Sequence, residues 1–266
     1  MLETLSLEGK TILITGGGTG LGLEMVRATA RAGADLVISA RRPGPIEEAV
    51  REVRKMGRRA MAITADITDS TQVNRMMEVA CSEFGKIDVL INNAGIVFDD
   101  RTPIWDVTDD DWQRGINGNL TGTFYCCRAV SKHMVEQGKG RIINVATGYA
   151  LRGERDNYMY GCAKAATLQL SRSLTMSLSR HGVTAVTIVP GYFPTHLAQD
   201  VGQMASRAEF IPVGRFGAPT EMGLLVVLLA SDASSYLNGD FFAIDGGSLA
   251  GGFAPTTFAP EIPLPK

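Results

Sequence analysis

The sequence predicts an α/β protein: a single-domain, doubly wound parallel sheet with helices on both faces. Three observations predict it. Short β-rich runs alternate with helix-length segments, a glycine-rich turn joins the first run to an amphipathic stretch, and later motifs fall at the carboxyl ends of other runs. Alternation at this spacing means parallel βαβ units covering both faces of a sheet, and such sheets take ligands beyond the carboxyl ends of their strands. A chain of 266 residues, 45% hydrophobic and 20% charged, is long enough for one full core.

Residues 11–15 form the first run. Thr15-Gly16-Gly17-Gly18-Thr19-Gly20-Leu21-Gly22 leads from it into an amphipathic stretch over residues 21–30. A glycine turn between a strand and a helix is where a dinucleotide pyrophosphate meets a helix N-terminus, so the architecture is of the Rossmann type. The spacing here is Gly-x-x-x-Gly-x-Gly rather than G-x-G-x-x-G, and glycine turns also end strands for conformational reasons alone. The second run, residues 36–39, ends in Ser39-Ala40-Arg41-Arg42, where an NAD site usually carries an acidic side chain for the ribose 2′-hydroxyl. A guanidinium suits a 2′-phosphate instead, so NADP(H) is favoured over NAD(H); the alternative is two solvated charges ahead of a Pro43-Gly44-Pro45 turn.

Further runs lie at residues 60–64, 89–91, 141–145, 183–189 and 241–244. Asn92 to Gly95, Thr147 and Pro190-Gly191 sit at their ends and converge on the same cleft as the glycine turn. Trp105 and Trp112 bracket an acidic patch, residues 106–111, which reads as a helix N-terminus with capping carboxylates. Residues 192–218 show no clean period and follow a strand end, which predicts a partly helical, mobile substrate lid. Residues 1–250 form the dinucleotide-binding and catalytic domain. Residues 251–266 are a Pro-rich tail that cannot be helical, either disordered or extended over a neighbouring subunit with Phe253 and Phe258 as anchors.

Net charge is -2 and the pI about 6.0, without the basic stripe that nucleic acid demands. The polar residues 1–10 do not read as a secretory signal, and the longest apolar stretch, residues 222–230, falls short of a membrane span, so a cytoplasmic location is expected. Cys81, Cys126, Cys127 and Cys162 contain no Cys-x-x-Cys pair and read as buried free thiols. His133, His181 and His196 lie outside any ligand spacing, and no metal is expected.

Tyr160 and Lys164 carry the chemistry. On a helix, positions i and i+4 share a face, which brings the ammonium close to the phenol. Tyrosine titrates near ~10, and reaching about 7 to 8 requires roughly 3 to 4 kcal/mol of preference for phenolate. One cation at ~4 Å gives about 1 kcal/mol in water but about 4 at an effective dielectric of roughly 20. In a half-desolvated cleft Tyr160 is then a general acid in reduction and a base in oxidation, on a small carbonyl or alcohol substrate.

At these residues the chain resembles the short-chain dehydrogenase/reductase family over residues 7–247. The resemblance rests on the glycine turn, Asp66, Asn92-Asn93-Ala94-Gly95, Asn119, Thr147, Tyr160-Gly161-Cys162-Ala163-Lys164 and Pro190-Gly191. It implies that Tyr160 protonates the carbonyl oxygen, Lys164 holds the nicotinamide ribose and lowers the tyrosine pKa, and Asn119 anchors a relay water. It implies that Asp66 contacts the adenine amino group, Asn93 lines the adenine ribose, and the Phe193 backbone and Thr195 side chain hold the carboxamide. Gly16, Thr19, Leu21, Gly22, Arg41, Arg42, Ile67, Gly95 and Pro190 complete the implied cofactor site. A homotetramer using the two long helices around Cys126 and Leu170 is implied too.

Two departures stand out. Thr147 occupies the usual serine position; its hydroxyl survives, while the branched Cβ narrows the pocket. Val186 stands where relatives often place Asn, a structural change. The segment between Thr147 and Tyr160 is unusually charged: Arg152 or Arg155 could receive an anionic substrate group, or the loop is simply solvated. A second reading is a catalytically impaired dinucleotide-binding regulator, motivated by Thr147 and the tail.

Overall fold

The computed structural model describes residues 2–96, 102–194 and 208–251. Seven strands, β1 (Thr11–Thr15), β2 (Asp35–Ala40), β3 (Ala60–Thr64), β4 (Val89–Asn92), β5 (Gly140–Val145), β6 (Val183–Pro190) and β7 (Phe241–Ile244), form one sheet in the order β3-β2-β1-β4-β5-β6-β7. Every pairing is parallel, with Ile14 beside Ile38 and Ile91 in the central register. The order reverses beside β1, so the cleft at a switch point opens at the carboxyl ends of β1 and β4.

Period-two alternation divides the strands between two cores. Ile12, Ile14, Leu36, Ile38, Val89, Ile91, Ile143, Val145, Val186 and Ile188 point to one face. They meet Met25 and Val26 of α1 (Gly20–Arg31), Ile46 and Val53 of α2 (Pro43–Lys55), and Met222, Val226 and Leu229 of a helix near the end of the described chain. Leu13, Val37, Leu90, Ile142 and Ala185 point the other way. There they meet Val73, Met76 and Met77 of α3 (Ser70–Phe84) and Cys126, Val130 and Met134 of the helix that precedes β5. Val186 is fully buried in the first of these cores, as a structural role requires.

Helix ends follow local chemistry. Asp69 caps α3 by accepting from the N–H groups of Thr71 and Gln72, and the helix stops at Gly85 with φ 78, a conformation glycine adopts without strain. Residues 43–45 are not a turn, contrary to the sequence reading. α2 begins at Pro43, because a first-turn proline loses no intrahelical bond and is preset in φ. The acidic patch does open a helix, α4 (Asp109–Ile116), but Thr108 rather than a carboxylate is the cap, accepting from Asp111 N–H. Asp109, Asp110 and Asp111 occupy the first turn, where their charge complements the helix dipole.

A one-turn π-helix, Asn117–Thr121, joins α4 to α5 (Gly122–Glu136). After β5 come a 3₁₀ turn, Gly148–Ala150, and the long α6 (Tyr158–Leu178). The last helix, α7 (Met222–Ala230), packs on α1. Cys126 and Cys127 are buried thiols, whereas Cys81 is half-buried and Cys162 exposed on α6, so burial holds for only two of the four. Among the described residues no helix is long and apolar enough to cross a membrane. The expected lid is described only at residues 192–194 and 208–218; Thr195, His196 and residues 252–266 of the tail lie outside the described residues.

Candidate active site

A cleft of about 520 Å³ opens at the carboxyl ends of β1, β2 and β4. Gly16, Thr19, Leu21, Gly22, Arg41, Arg42, Asp66, Ile67, Asn93 and Gly95 all line it. Backbone bulk decides its first wall. A Cβ on Gly22 would lie 2.1 Å from the Gly16 carbonyl oxygen, and one on Gly16 would lie 2.9 Å from Ala94 Cα. Gly16 also has φ 68, so only glycine fits there without strain. Thr19 precedes α1 without a side-chain cap, which leaves the first-turn N–H groups without intrahelical acceptors and facing the cleft.

Asn93 braces this turn: its Nδ2 donates to the carbonyls of Thr15 and Gly16 at 3.2 and 3.1 Å. Asp66 accepts from the Thr68 N–H and hydroxyl at 2.9 and 2.8 Å, which fixes its carboxylate at the cleft wall. Ser39 was passed over as a site residue, yet it lines the cleft with a fully buried hydroxyl that has no protein partner among the described residues. Thr68, Ile96 and Gly118 line it as well; only the neighbours of Asp66 and Asn119 in the sequence could have signalled them. The helix N-terminus, the glycine cradle and an orphaned serine hydroxyl together fit a nicotinamide dinucleotide, with two guanidiniums beside it.

Gly95, on the cleft wall, meets the other set of residues; Asn119, Thr147, Tyr160 and Lys164 lie behind it and do not themselves line the cleft. A Cβ there would lie 2.6 Å from Asn119 Oδ1 and 3.4 Å from Lys164 Nζ. The π-helix turns Asn119 fully inside, where Oδ1 accepts from Ile96 N–H at 3.1 Å and Nδ2 donates to the carbonyls of Ile96 and Gly115 at 2.9 and 3.1 Å. Asn119 therefore locks the loop after β4 to the helix. Single π turns of this kind recur at functional sites.

Tyr160 and Lys164 lie on consecutive turns of α6, with Lys164 Nζ 5.9 Å from the Tyr160 ring centroid and donating to the Val145 carbonyl at 2.9 Å. The Thr147 side chain lies close enough to Tyr160 to act on its hydroxyl. Burial pushes the Tyr160 hydroxyl up, the nearby Thr147 side chain pulls it partly back, and the charge of Glu154 pushes it up again. Burial also lowers Lys164 to about 8. The expected acidification of Tyr160 is thus reversed in the protein alone, because desolvation disfavours both charged forms and weakens the very cation that was to do the work. The phenol stays protonated.

Pro190 ends β6, and its neighbour Gly191 passes so close to β7 that a Cβ would sit 2.6 Å from Asp245 Cα. Phe193 packs its ring on the Gly217 backbone and the first core; neither Pro190 nor Phe193 is among the residues lining the cleft. Arg152 does not face an anion site. It donates to the carbonyls of Leu249 and Gly251, tying the strand-β7 extension to the loop after Thr147. Arg155 is 93% exposed and pairs with Asp156. Among the described residues no group of three or more His, Cys, Asp or Glu side chains could hold a metal.

Residues 10–206 match the family model described as short chain dehydrogenase. The chain is 35% identical to 2-dehydro-3-deoxy-D-gluconate 5-dehydrogenase of Escherichia coli (strain K12), over 94% of this chain and 99% of that protein. It is 33% identical to 3-oxoacyl-[acyl-carrier-protein] reductase of Synechocystis sp., over 91% of this chain and 98% of that one. Among solved structures, a gluconate 5-dehydrogenase from Burkholderia cenocepacia J2315 in complex with NADP and tartrate is similar with a TM-score of 0.88 and 32% identity, covering 94% of this chain and 98% of that chain.

Proposed function

The chain belongs to the short-chain dehydrogenase/reductase family of oxidoreductases, and on that premise we propose that it interconverts a ketone and a secondary alcohol with NADP(H), using Tyr160 as general acid and base. The observation that carries this reading is that Asn119 and Lys164 sit against Gly95 on the wall of the glycine-cradled cleft, with Tyr160 one helical turn from Lys164 and Thr147 near Tyr160, although none of the four lines the cleft itself. When bound, the nicotinamide dinucleotide supplies or accepts the hydride.

Each residue has a distinct task. The protonated Tyr160 hydroxyl donates to the carbonyl oxygen of a ketone, and in the reverse direction the phenolate takes the alcohol proton. Thr147 orients that oxygen through its hydroxyl. Lys164, held by the Val145 carbonyl, donates toward the ribose side and stabilises phenolate when protonated. Asn119 fixes the loop that carries Gly95, and its place beside Lys164 supports a water relay. Gly16, Thr19, Leu21, Gly22, Asp66, Ile67 and Asn93 hold the dinucleotide, with Pro190, Phe193 and Thr195 toward the carboxamide.

Preference for NADP(H) is supported by Arg41 and Arg42 at the cleft wall and by the NADP named in the Burkholderia complex. We also infer a homotetramer, supported by Phe124 on α5 and Met176 on α6, which leave apolar surface exposed on the two long helices; a monomer mass by light scattering would overturn it. Of the two motives for the regulator reading, Thr147 still presents a hydroxyl near Tyr160, which favours the enzyme, and the tail lies outside the described residues beyond Gly251.

The test is NADPH consumption over a panel of β-keto esters, diketones and cyclic ketones. Tyr160→Phe should lower kcat by roughly 10²- to 10⁴-fold, the usual worth of a positioned general acid. Turnover that survives the substitution would refute the assignment.

A further inference from the structure

α5 meets the sheet with apolar side chains, Cys126, Val130 and Met134. α6 adds something different. Lys164, Thr167, Ser171 and Thr175 follow one another at helical spacing on its inward side, and the first three are buried. A polar row on the sheet matches this stripe: Thr15, Asn92, Asn144 and Thr187 stand side by side in register on β1, β4, β5 and β6, all of them buried.

The two are joined at Ser171. Asn92 Nδ2 donates to Asn144 Oδ1 at 2.9 Å, and Asn144 Nδ2 donates to Ser171 Oγ at 2.8 Å. Ser171 donates its own hydrogen to the Thr167 carbonyl at 3.2 Å and accepts from the Thr187 hydroxyl at 2.7 Å, so its hydrogen and both lone pairs are engaged. At the other end of the row, Thr15 Oγ1 accepts from the Asn93 and Ala94 N–H groups at 3.2 and 3.1 Å, which fixes the loop that carries Gly95.

The contacts between α6 and the sheet are spaced as rungs. Four residues of helix rise about 6 Å and two residues of strand about 6.6 Å, so Ser171 at Thr187 and Thr175 Oγ1, 3.2 Å from the Ala185 carbonyl oxygen, are successive rungs on β6. Lys164 on the Val145 carbonyl is a third, on β5. Apolar contacts change little as a helix slides, whereas hydrogen bonds weaken outside about 2.7–3.2 Å, so these rungs set one placement of α6 along the strands.

We propose that Ser171 is a positioning residue: through Asn144 and Thr187 it fixes α6 along the sheet and so holds Lys164 and Tyr160, two and three turns toward the helix N-terminus, against Gly95. Ser171 is 1% exposed and does not line the cleft, so it acts through the helix alone. The proposal rests on the ketone–alcohol reading above.

The test is kcat per folded molecule of the full chain, with NADPH and the best ketone of the panel, beside NADPH affinity by fluorescence. Ser171→Ala should lower kcat by about 10- to 100-fold, the scale of a displacement of about 1 Å at the reacting groups, while NADPH affinity changes by less than about threefold. Thr187→Val, which keeps the shape but not the hydroxyl, should also lower kcat, and Thr187→Ser, which keeps the hydroxyl, should hold it within about threefold of wild type. This second pair decides the matter alone if Ser171→Ala does not fold. Ser234→Ala is the control. It removes an equally buried hydroxyl that donates to the Leu229 carbonyl, beside Arg141 at the start of β5, and should lower Tm without changing kcat.

The proposal is overturned if Ser171→Ala and Thr187→Val keep kcat within about threefold of wild type, if Thr187→Ser is as impaired as Thr187→Val, or if Ser234→Ala loses as much kcat as Ser171→Ala. In each of these cases wild-type turnover leaves the ketone reading standing. No wild-type turnover across the ketone panel overturns that reading, and this proposal with it.

Discussion

Lys164→Met should make the protein more stable at neutral pH while removing its activity. Lys164 is only 4% exposed, and among the described residues its ammonium has one hydrogen bond, to the Val145 carbonyl. Burial lowers its pKa from 10.5 to about 8. The unfolded chain therefore binds more protons than the folded one between those values, so wild-type stability rises with pH across that window and the full penalty is present below it. At 1.36 kcal/mol per pH unit the penalty is about 3 kcal/mol at pH 7 and falls to about 1 at pH 9.5.

The methionine variant escapes this cost but leaves the Val145 carbonyl short of a donor, a loss of about 1 kcal/mol that does not depend on pH. The variant should thus be about 2 kcal/mol more stable than wild type at pH 7 and about equal to it at pH 9.5. Urea unfolding followed by circular dichroism, at one protein concentration so that assembly is held fixed, measures both differences. The swing of about 2 kcal/mol is the decisive quantity, because the hydrogen-bond loss and every titration common to both proteins cancel in it. A variant-minus-wild-type difference that does not change between the two pH values would refute the claim that the fold holds a desolvated ammonium at this position. The outcome expected here is a stability–activity trade at one residue, in which a charge is kept beside Gly95 and Asn119 at the expense of the fold.

Two further substitutions probe the cleft. Gly22→Ala would place a methyl 2.1 Å from the Gly16 carbonyl oxygen, backbone that cannot give way cheaply, so dinucleotide binding measured by fluorescence should fall by at least about tenfold with a Tm drop; wild-type affinity would mean that the turn does not cradle the cofactor. Arg41→Asp should weaken NADPH binding by roughly 10- to 100-fold while NADH binding changes by less than about threefold, and equal losses for both would count against a 2′-phosphate contact.

Much of the fold was legible along the chain because its signals are local. A strand buried on both faces needs apolar side chains at successive positions, and Ile12, Leu13 and Ile14 supply them to two different cores from three adjacent residues. Glycine at positions 16 and 22 follows from a backbone contact that no side chain could survive, and the Tyr160–Lys164 spacing follows from the pitch of a helix. The places where reading failed are those decided by what lies across space. Pro43-Gly44-Pro45 looks like a turn from its composition, but after β2 ends at Ala40 an extended Arg42 leads straight into a helix whose first residue is Pro43. Two arginines near the site looked equally ready for an anion; the packing of Leu249 and Gly251 claims one of them, and solvent the other.

The sequence by itself determined the order of strands and helices along the chain and the glycine-walled cleft at the switch point, since each depends on residue type at a fixed spacing. Tertiary structure alone decided the electrostatics inside that cleft. Whether a neighbouring ammonium or the loss of water governs a phenol is a contest between distance and burial, and here Tyr160 is pushed up because desolvation acts on it directly and on Lys164 as well.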